Sequence, residues 1–333
     1  MQRYIVRRLI IAVFILFVLS IVVFLLLRVA PGDARLFKCP PPCPKVQLEA
    51  IGERLGLNDP YWPVSVHFRW LGPPGISFHR DNQYGTWMKG LVTGSLGTSN
   101  EGLPIFPEIK RRLPTTIELL IITMIVTVAV GVPFGVISAV YRNSLGDYLA
   151  RVTAIFGLSI PSFWLATMIL VFPQTLWNYA PPIGRTVDFF DNPVDNLRQF
   201  GPPAIALAAA LAAGIMRLTR SALLEVMRQD YIRTARSKGL QERVVVARHA
   251  LKNSMIPVVT VLGLQAAALL GGAVIIEQIF SLQGVGAYYF RALFTKDYQV
   301  AQTLTLYVGA VVVLMNLMVD VTYAWLDPRI RYS

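Results

Sequence analysis

Six predominantly apolar stretches punctuate the chain, each bounded by charged or by proline- and glycine-rich sequence. A helix needs roughly 20 such residues to cross the hydrocarbon core of a bilayer. Leu9 to Val29 qualifies, and so does Thr116 to Val140, with Pro133 as a tolerated break. Val152 to Trp177 is a third, Pro203 to Leu218 a shorter fourth, Pro257 to Phe280 a fifth and Ala301 to Trp325 a sixth. The pattern predicts an all-α polytopic membrane protein of six transmembrane helices with both termini on one side. The first run exceeds the length of a signal-peptide core and is closed by Arg28, not by a small-residue cleavage site, so it stays as a helix.

Two segments between the spans break this rhythm. Ala30 to Leu113 is long, rich in Pro and Gly, and only weakly periodic. Within it Gln47 to Leu55 has a faint helical pattern, and Trp87, Met88, Leu91 and Val92 share one helical face of Gly85 to Leu96. The segment reads either as a small cap on the span ends or as a partly ordered loop. The second is Met216 to Pro257, polar and strongly basic, too large for a mere connector and too small for a domain. Two short helices joined at Gly239 fit it, because glycine tolerates the left-handed geometry just past a helix end. Tyr231 to Lys238 is helix-compatible, as is Gln241 to Asn253. Leu240, Val244, Ala247 and Leu251 recur as one apolar stripe flanked by Arg243, Arg248 and Lys252. Such a stripe lies on a membrane surface or fills a groove on a partner.

Composition agrees with a membrane location. Hydrophobic residues make up 54% and charged residues only 15%, against about a quarter charged in soluble domains. The net charge of +12 does not imply nucleic acid, since the basic residues sit beside spans, where cationic cytoplasmic loops are expected. With the N-terminus inside, Arg3, Arg7, Arg8, Arg142, Arg151, the whole basic loop, Arg329 and Arg331 are cytoplasmic. Only Arg185, Arg198, Arg291 and Lys296 fall in short outside loops. Both termini are therefore expected in the cytoplasm.

Candidate chemistry is sparse. Small residues crowd the fourth span (Ala204 to Gly214) and the fifth (Gly263, Ala266 to Ala268, Gly271, Gly272), which lets helix backbones approach. This serves either ordinary bundle packing or a moving surface beside a translocation path. Glu118, Glu277 and Asp320 are the intramembrane acids, each near enough to an interface for solvation or pairing, which argues against an acidic proton relay. His67 and His79 lie outside and His249 inside, so they form no metal site. No phosphate-binding Gly-x-x-x-x-Gly-Lys-Ser/Thr loop and no catalytic constellation occurs. If transport consumes nucleotide, another chain binds it. Cys39 and Cys43, in Cys-Pro-Pro-Pro-Cys, are candidates for a disulfide. Extended prolines would hold their Cα atoms near 12 Å, so pairing requires a tight turn.

Ala235 and Gly239 keep two positions of the Glu-Ala-Ala-x-x-x-Gly motif found in the cytoplasmic loop of ABC importer permeases, with Arg233 and Thr234 at the Glu and first Ala positions. Further segments match: Tyr4 to Asp33, Gly94 to Ser99, Arg112 to Leu119, Ser159 to Trp164, Arg248 to Asn253, Glu277 to Ser281, and Asn316 through Arg329. Together these resemble the first (B-type) permease of dipeptide and oligopeptide importers, a subfamily that also serves nickel, glutathione and oligosaccharides. Residues 35–84 look like an insertion, and Gln283 stands where the family usually has Pro.

The resemblance implies the type I ABC importer permease fold, divided as 1–29 (tail and first span), 30–113 (extracytoplasmic segment) and 114–333 (permease core). Its coupling loop would be 217–255, in a bacterial or archaeal cytoplasmic membrane. It implies a second homologous permease, two cytoplasmic ATPases holding ATP and Mg, and an extracytoplasmic binding protein, with no cofactor on this chain. The loop residues that would engage the ATPase are Tyr231, Arg233, Thr234, Ala235, Gly239, Leu240, Val244 and Arg248. Ser159, Pro161, Gly214, Gly263, Gly271 and Gly272 are pore or packing candidates. The contrasting reading, a channel or ion-coupled transporter acting alone, predicts an acidic or inverted-repeat core and a self-sufficient chain.

Overall fold

The computed structural model describes residues 2–29, 35–39, 42–54, 57–67, 75–79, 82–184 and 187–326. Pro31 to Asp33, Arg185 and Asp327 to Arg331 lie outside the described residues, as do the surroundings of the Asp320 side chain.

Helix α1 (Gln2–Val29) takes in the first apolar run, with Arg28 in its last turn at the negative end of the helix dipole. Short helices α2 (Arg35–Lys38) and α3 (Lys45–Arg54) follow. Cys39 and Cys43 are joined in a disulfide, their Cα atoms 5.6 Å apart. Next comes an antiparallel hairpin of β1 (Val64–His67) and β2 (Gly75–Phe78), with Val64 opposite Phe78. Strands of four residues are too short for alternation to stand out in sequence, and the hydrophobicity pattern does not predict them.

Helix α4 (Gln83–Thr93) begins where Asn82 Oδ1 accepts from the Gly85 amide and stops at left-handed Gly94. Its buried face carries Gln83 and Trp87, whereas Val92 is 82% exposed, so the expected face is rotated. Trp87 and Tyr84 join Phe24 and Trp62 in one aromatic cluster.

Helix α5 (Ile105–Val140) starts well before the predicted Thr116 and keeps Pro114 and Pro133 within it. The predicted third span is two helices, α6 (Leu145–Ser159) and α7 (Ser162–Trp177), bent by 97°. The break has a local cause. A residue before proline avoids the helical region, and Ile160, preceding Pro161, is extended at φ −84°, ψ 121°.

Helix α8 (Pro193–Val226) has 34 residues, far beyond the predicted Pro203 to Leu218. Polar residues interrupt its apolar run at both ends. The fold buries Asn196, Gln199 and Thr219 among α8's neighbours, so hydropathy alone understates the helix. It opens with Asn192 accepting from the Asp195 amide and Pro193 in the first turn. Packed against it are α6, α7 and a later helix, α11 (Leu251–Gly272).

Between α8 and α11 lies α9 (Asp230–Ser237), then α10 (Glu242–Val244) and a π-helical turn, Val245–Ala250, that runs directly into α11. Of the two expected short helices, only the first is separate. The second is the start of the fifth span, and Met216 to Val226 continues the fourth. The predicted Pro257 to Phe280 span breaks at Ala273, after which come α12 (Val274–Ile279), α13 (Val285–Phe294) and α14 (Tyr298–Leu326). Among the described residues five helices are long and apolar enough to cross a membrane, and the bent α6–α7 pair adds a sixth.

By compactness one unit comprises Met1–Arg8, Pro114–Ala287 and Val311–Ser333, and the other Leu9–Leu113 with Tyr288–Ala310. In the first, α8 supplies the core through Phe200, Ala204, Ala206 and Leu207, packed with Leu119, Ala166, Ile276 and Phe280. In the second, α1 meets α4 through the aromatic cluster, and Trp87 Nε1 donates to Thr303 Oγ1 at 3.3 Å.

Candidate functional site

Helix α9 is short and held by two residues. Ile232 (0% exposed) and Ala235, three positions apart, bury one face against Ala139 of α5, Leu223 of α8 and Val245, Val246 and Ala250 of the π turn. Its other face leaves Tyr231, Arg233 and Thr234 exposed. The Tyr231 hydroxyl accepts from Asn253 Nδ2 at 2.8 Å, tying α9 to α11. Gly239 follows the helix at φ 76° with open space where a side chain would begin, so its requirement is conformational, not steric. Across this turn Arg236 grips Glu242 with two hydrogen bonds, of 3.0 and 2.7 Å. The Glu242 carboxylate holds the Arg236 guanidinium above its ordinary pKa. The result is a closed hairpin of helix, turn and helix standing on a buried foot.

The apolar stripe faces away from that foot. Leu240 and Val244 are each 39% exposed, Ala247 and Arg248 are also exposed, and Leu251 is half-buried. Val245, Val246 and Ala250 are the buried set instead. Wider π-helical winding separates the two apolar faces, a feature often found at functional sites. Ala235 is the exception among the loop candidates, since its side chain seats α9 on its own chain. Arg233 contributes little locally, its ion pair with Asp230 being long (3.8 Å) and fully in solvent.

Behind the loop a buried carboxylate joins three helices. Asp147 of α6 is completely buried and accepts from Arg220 of α8 at 3.0 and 3.1 Å, from the Asn143 amide at 3.0 Å, and from Ser138 of α5. Arg151 approaches to 3.4 Å. Sequence reading missed this cluster, because Arg220 lies 73 positions from Asp147.

Glycines complete the junction. A Cβ at Gly131 or Gly135 of α5 would fall within 3 Å of α8 atoms, and one at Gly157 of α6 would sit 3.0 Å from the Ala209 carbonyl oxygen. The small residues of α8 thus meet small residues on its neighbours. Gly214 has open space beside it, Gly263 is half-buried, and Gly271 and Gly272 end α11. Ser159 and Pro161 are exposed and flank the 97° bend. An apolar cavity of about 380 Å³ opens between α5, α6, α7 and α8, lined among others by Phe134, Gly157, Ile160 and Ala213.

Two other signature segments meet in the same unit. Glu277 is fully buried, takes a hydrogen bond from Thr116 Oγ1 (2.8 Å), and accepts from the Ala287 amide (2.8 Å). Thr116 Oγ1 also accepts from the Val285 amide at 2.9 Å. These bonds fix the start of α13 to α5 and α12. Gln283, the departure from the usual Pro, donates to the Gly184 carbonyl at 3.1 Å. Glu118 accepts from Asn196 Nδ2. Among the described residues no group of three or more His, Cys, Asp or Glu could hold a metal ion.

Residues 131–332 match the family described as binding-protein-dependent transport system inner membrane component, and residues 1–120 match its N-terminal counterpart. The dipeptide transport system permease protein DppB of Alkalihalophilus pseudofirmus is 40% identical over 352 residues, covering 100% of both chains. Oligopeptide transport system permease protein AppB of Bacillus subtilis and DppB of Escherichia coli are each 35% identical, again over 100% of both chains. Among solved structures, the inward-facing MetNI methionine ABC transporter superposes with a TM-score of 0.54 at 18% identity, covering 66% of this chain and 96% of that one. An amino acid ABC transporter with histidines gives 0.51 at 13% identity, covering 67% and 94%. The fold is that of type I ABC importer permeases.

Proposed function

The chain belongs to the family of binding-protein-dependent transport system inner membrane components, and from that premise we propose that it is the permease subunit of an ATP-driven importer of dipeptides or oligopeptides. The observation that carries the cargo is similarity, across the whole of both chains, to dipeptide and oligopeptide permeases. This chain forms half of a pathway with a second, homologous permease. Two ATPases holding ATP and Mg dock from the cytoplasm, where both termini lie, and a binding protein delivers substrate from the other side. The α9 hairpin receives the ATPase: its apolar residues Leu240 and Val244 are presented outward, while its foot rests on α5 and α8. The chain performs no chemistry itself. It converts ATPase closure into alternating access, which requires that the two states differ in binding energy.

The test is reconstitution of the chain with its permease, ATPase and binding-protein partners in vesicles. ATP-dependent uptake of labelled dipeptide or oligopeptide is expected. Uptake of nickel, glutathione or an oligosaccharide in its place would overturn the cargo. ATP-independent uptake by the chain alone would overturn the subunit role.

A further inference from the structure

The turn that joins α9 to α10 is anchored at its base and bare at its tip. At the base, Ile232 and Ala235 pack against Val245, Val246 and Ala250, and Tyr231 meets Asn253. Every residue from Arg236 to Val244 is exposed. Backbone hydrogen bonds do not cross this tip. The Lys238 and Gly239 amides donate back to the Thr234 and Arg236 carbonyls, while the Val244 and Val245 amides both donate to that of Gln241. Ser237 Oγ also donates within α9, to the Arg233 carbonyl at 3.0 Å. Gly239, at φ 76° with open space beside it, adds no packing of its own.

Among the described residues one hydrogen-bonded pair of side chains spans the tip. Arg236, near the end of α9, meets Glu242, the first residue of α10: Nε donates to Oε2 at 3.0 Å and Nη2 to Oε1 at 2.7 Å. Two parallel bonds fix direction as well as distance, which a lysine could not do. The side chains are 40% and 51% exposed, and an exposed ion pair adds little to global stability. Its effect is local. The pair closes a ring through 237–241 that carries Leu240, and it suppresses the local openings in which that tip swings away. A docking side chain already held in its bound direction spares the cost of ordering it on association.

We propose that Arg236 and Glu242 are positioning residues for coupling, and that their pair holds Leu240 in the stance in which the ATPase receives it. The proposal rests on the α9 hairpin being the element that docks, and it gives neither residue a contact with the ATPase. Direct contacts would be lost from each residue separately. A positioning pair is lost whole when either member goes.

The test uses Arg236→Gln, Glu242→Gln and the double variant in the full transporter assembly. Titrated co-purification reads ATPase affinity, vesicles read uptake per ATP hydrolysed, and a melting curve reads stability. Each single variant is expected to bind the ATPase about fivefold more weakly, the upper end for an exposed pair, and to transport less per ATP. The double variant should be no weaker than either single, because both members serve one interaction. Melting temperatures should stay within about 2 °C of wild type. Losses that add in the double variant, losses matched by a lowered melting temperature, or wild-type affinity in both singles would overturn the pair alone. Failure of the wild-type chain to retain the ATPase would overturn the docking reading, and this proposal with it.

Discussion

Leu240→Asp combined with Val244→Asp separates docking from folding. Each native side chain is 39% exposed, so a covering partner has about two-fifths of it left to bury. Full burial of such a side chain is worth about 1.5–3 kcal/mol, which puts the remainder near 1 kcal/mol each. Losing both should weaken docking by about 2 kcal/mol, roughly 30-fold in affinity. The cost of burying two carboxylates makes this a floor. The fold itself should shift by no more than about 0.5 kcal/mol, as for exposed positions generally. Ile232→Asp is the contrasting control, since Ile232 is fully buried in the foot of the same hairpin and its loss should lower thermal stability. The assay is titrated co-purification with the ATPase, paired with ATP-driven uptake and a melting curve. Wild-type ATPase affinity in the double variant would refute the docking face. So would a loss of affinity matched by an equal loss of stability.

Three further outcomes follow from the same geometry. Gly239→Val should cost about 1–3 kcal/mol of loop order and reduce uptake per ATP hydrolysed, while Gly239→Asn, which tolerates positive φ, should be nearly silent. Equal effects of the two would show that φ is not the constraint. Asp147→Asn leaves Arg220 (21% exposed) and Arg151 (38% exposed) without their carboxylate, so thermal denaturation should report a loss of about 3 kcal/mol, the lower end for a broken buried pair. A melting point equal to wild type would refute that. Thr116→Val keeps shape but removes the oxygen that serves both Glu277 and the Val285 amide, so unfolding should show about 2 kcal/mol of destabilisation, and a neutral result would mean that water replaces it.

Much of this was legible in sequence, for reasons that are local. The first span is an uninterrupted apolar run, Gly239 follows a helix-compatible segment, and the outward apolar stripe shows in the spacing of Leu240, Val244 and Ala247. What stayed hidden depends on partners distant in the chain. Helix α8 looked short because Asn196, Gln199 and Thr219 break its hydropathy, yet each is buried inside the protein. Asp147 gave no sign of its partnership with Arg220, and Gly131 and Gly135 revealed their purpose only against Ala212, Met216 and Thr219. The bend at Pro161 was readable in principle from its preceding residue, but continuous hydrophobicity from Val152 to Trp177 outweighed that signal.

These contacts also determine how a push on α9 must travel. Ile232 is wedged against the ends of α5 and α8, so displacement of the hairpin bears on both helices at once. Those helices are packed at close range: at Gly135 a single added carbon would lie 2.6 Å from Thr219 Cβ. Asp147 ties α6 to the same pair. Helices α5, α6 and α8 should therefore move as one body, with the α6–α7 bend at Ile160–Pro161 absorbing the difference, as hinges at element ends do. Spin labels read by pulsed resonance can separate the two behaviours. A pair on α6 and α8 should keep its distance between nucleotide-free and ATP-bound states, while a pair on α6 and α7 should change. A shift across α6 and α8 with α6–α7 fixed would place the yielding point in the glycine-packed junction and overturn this path.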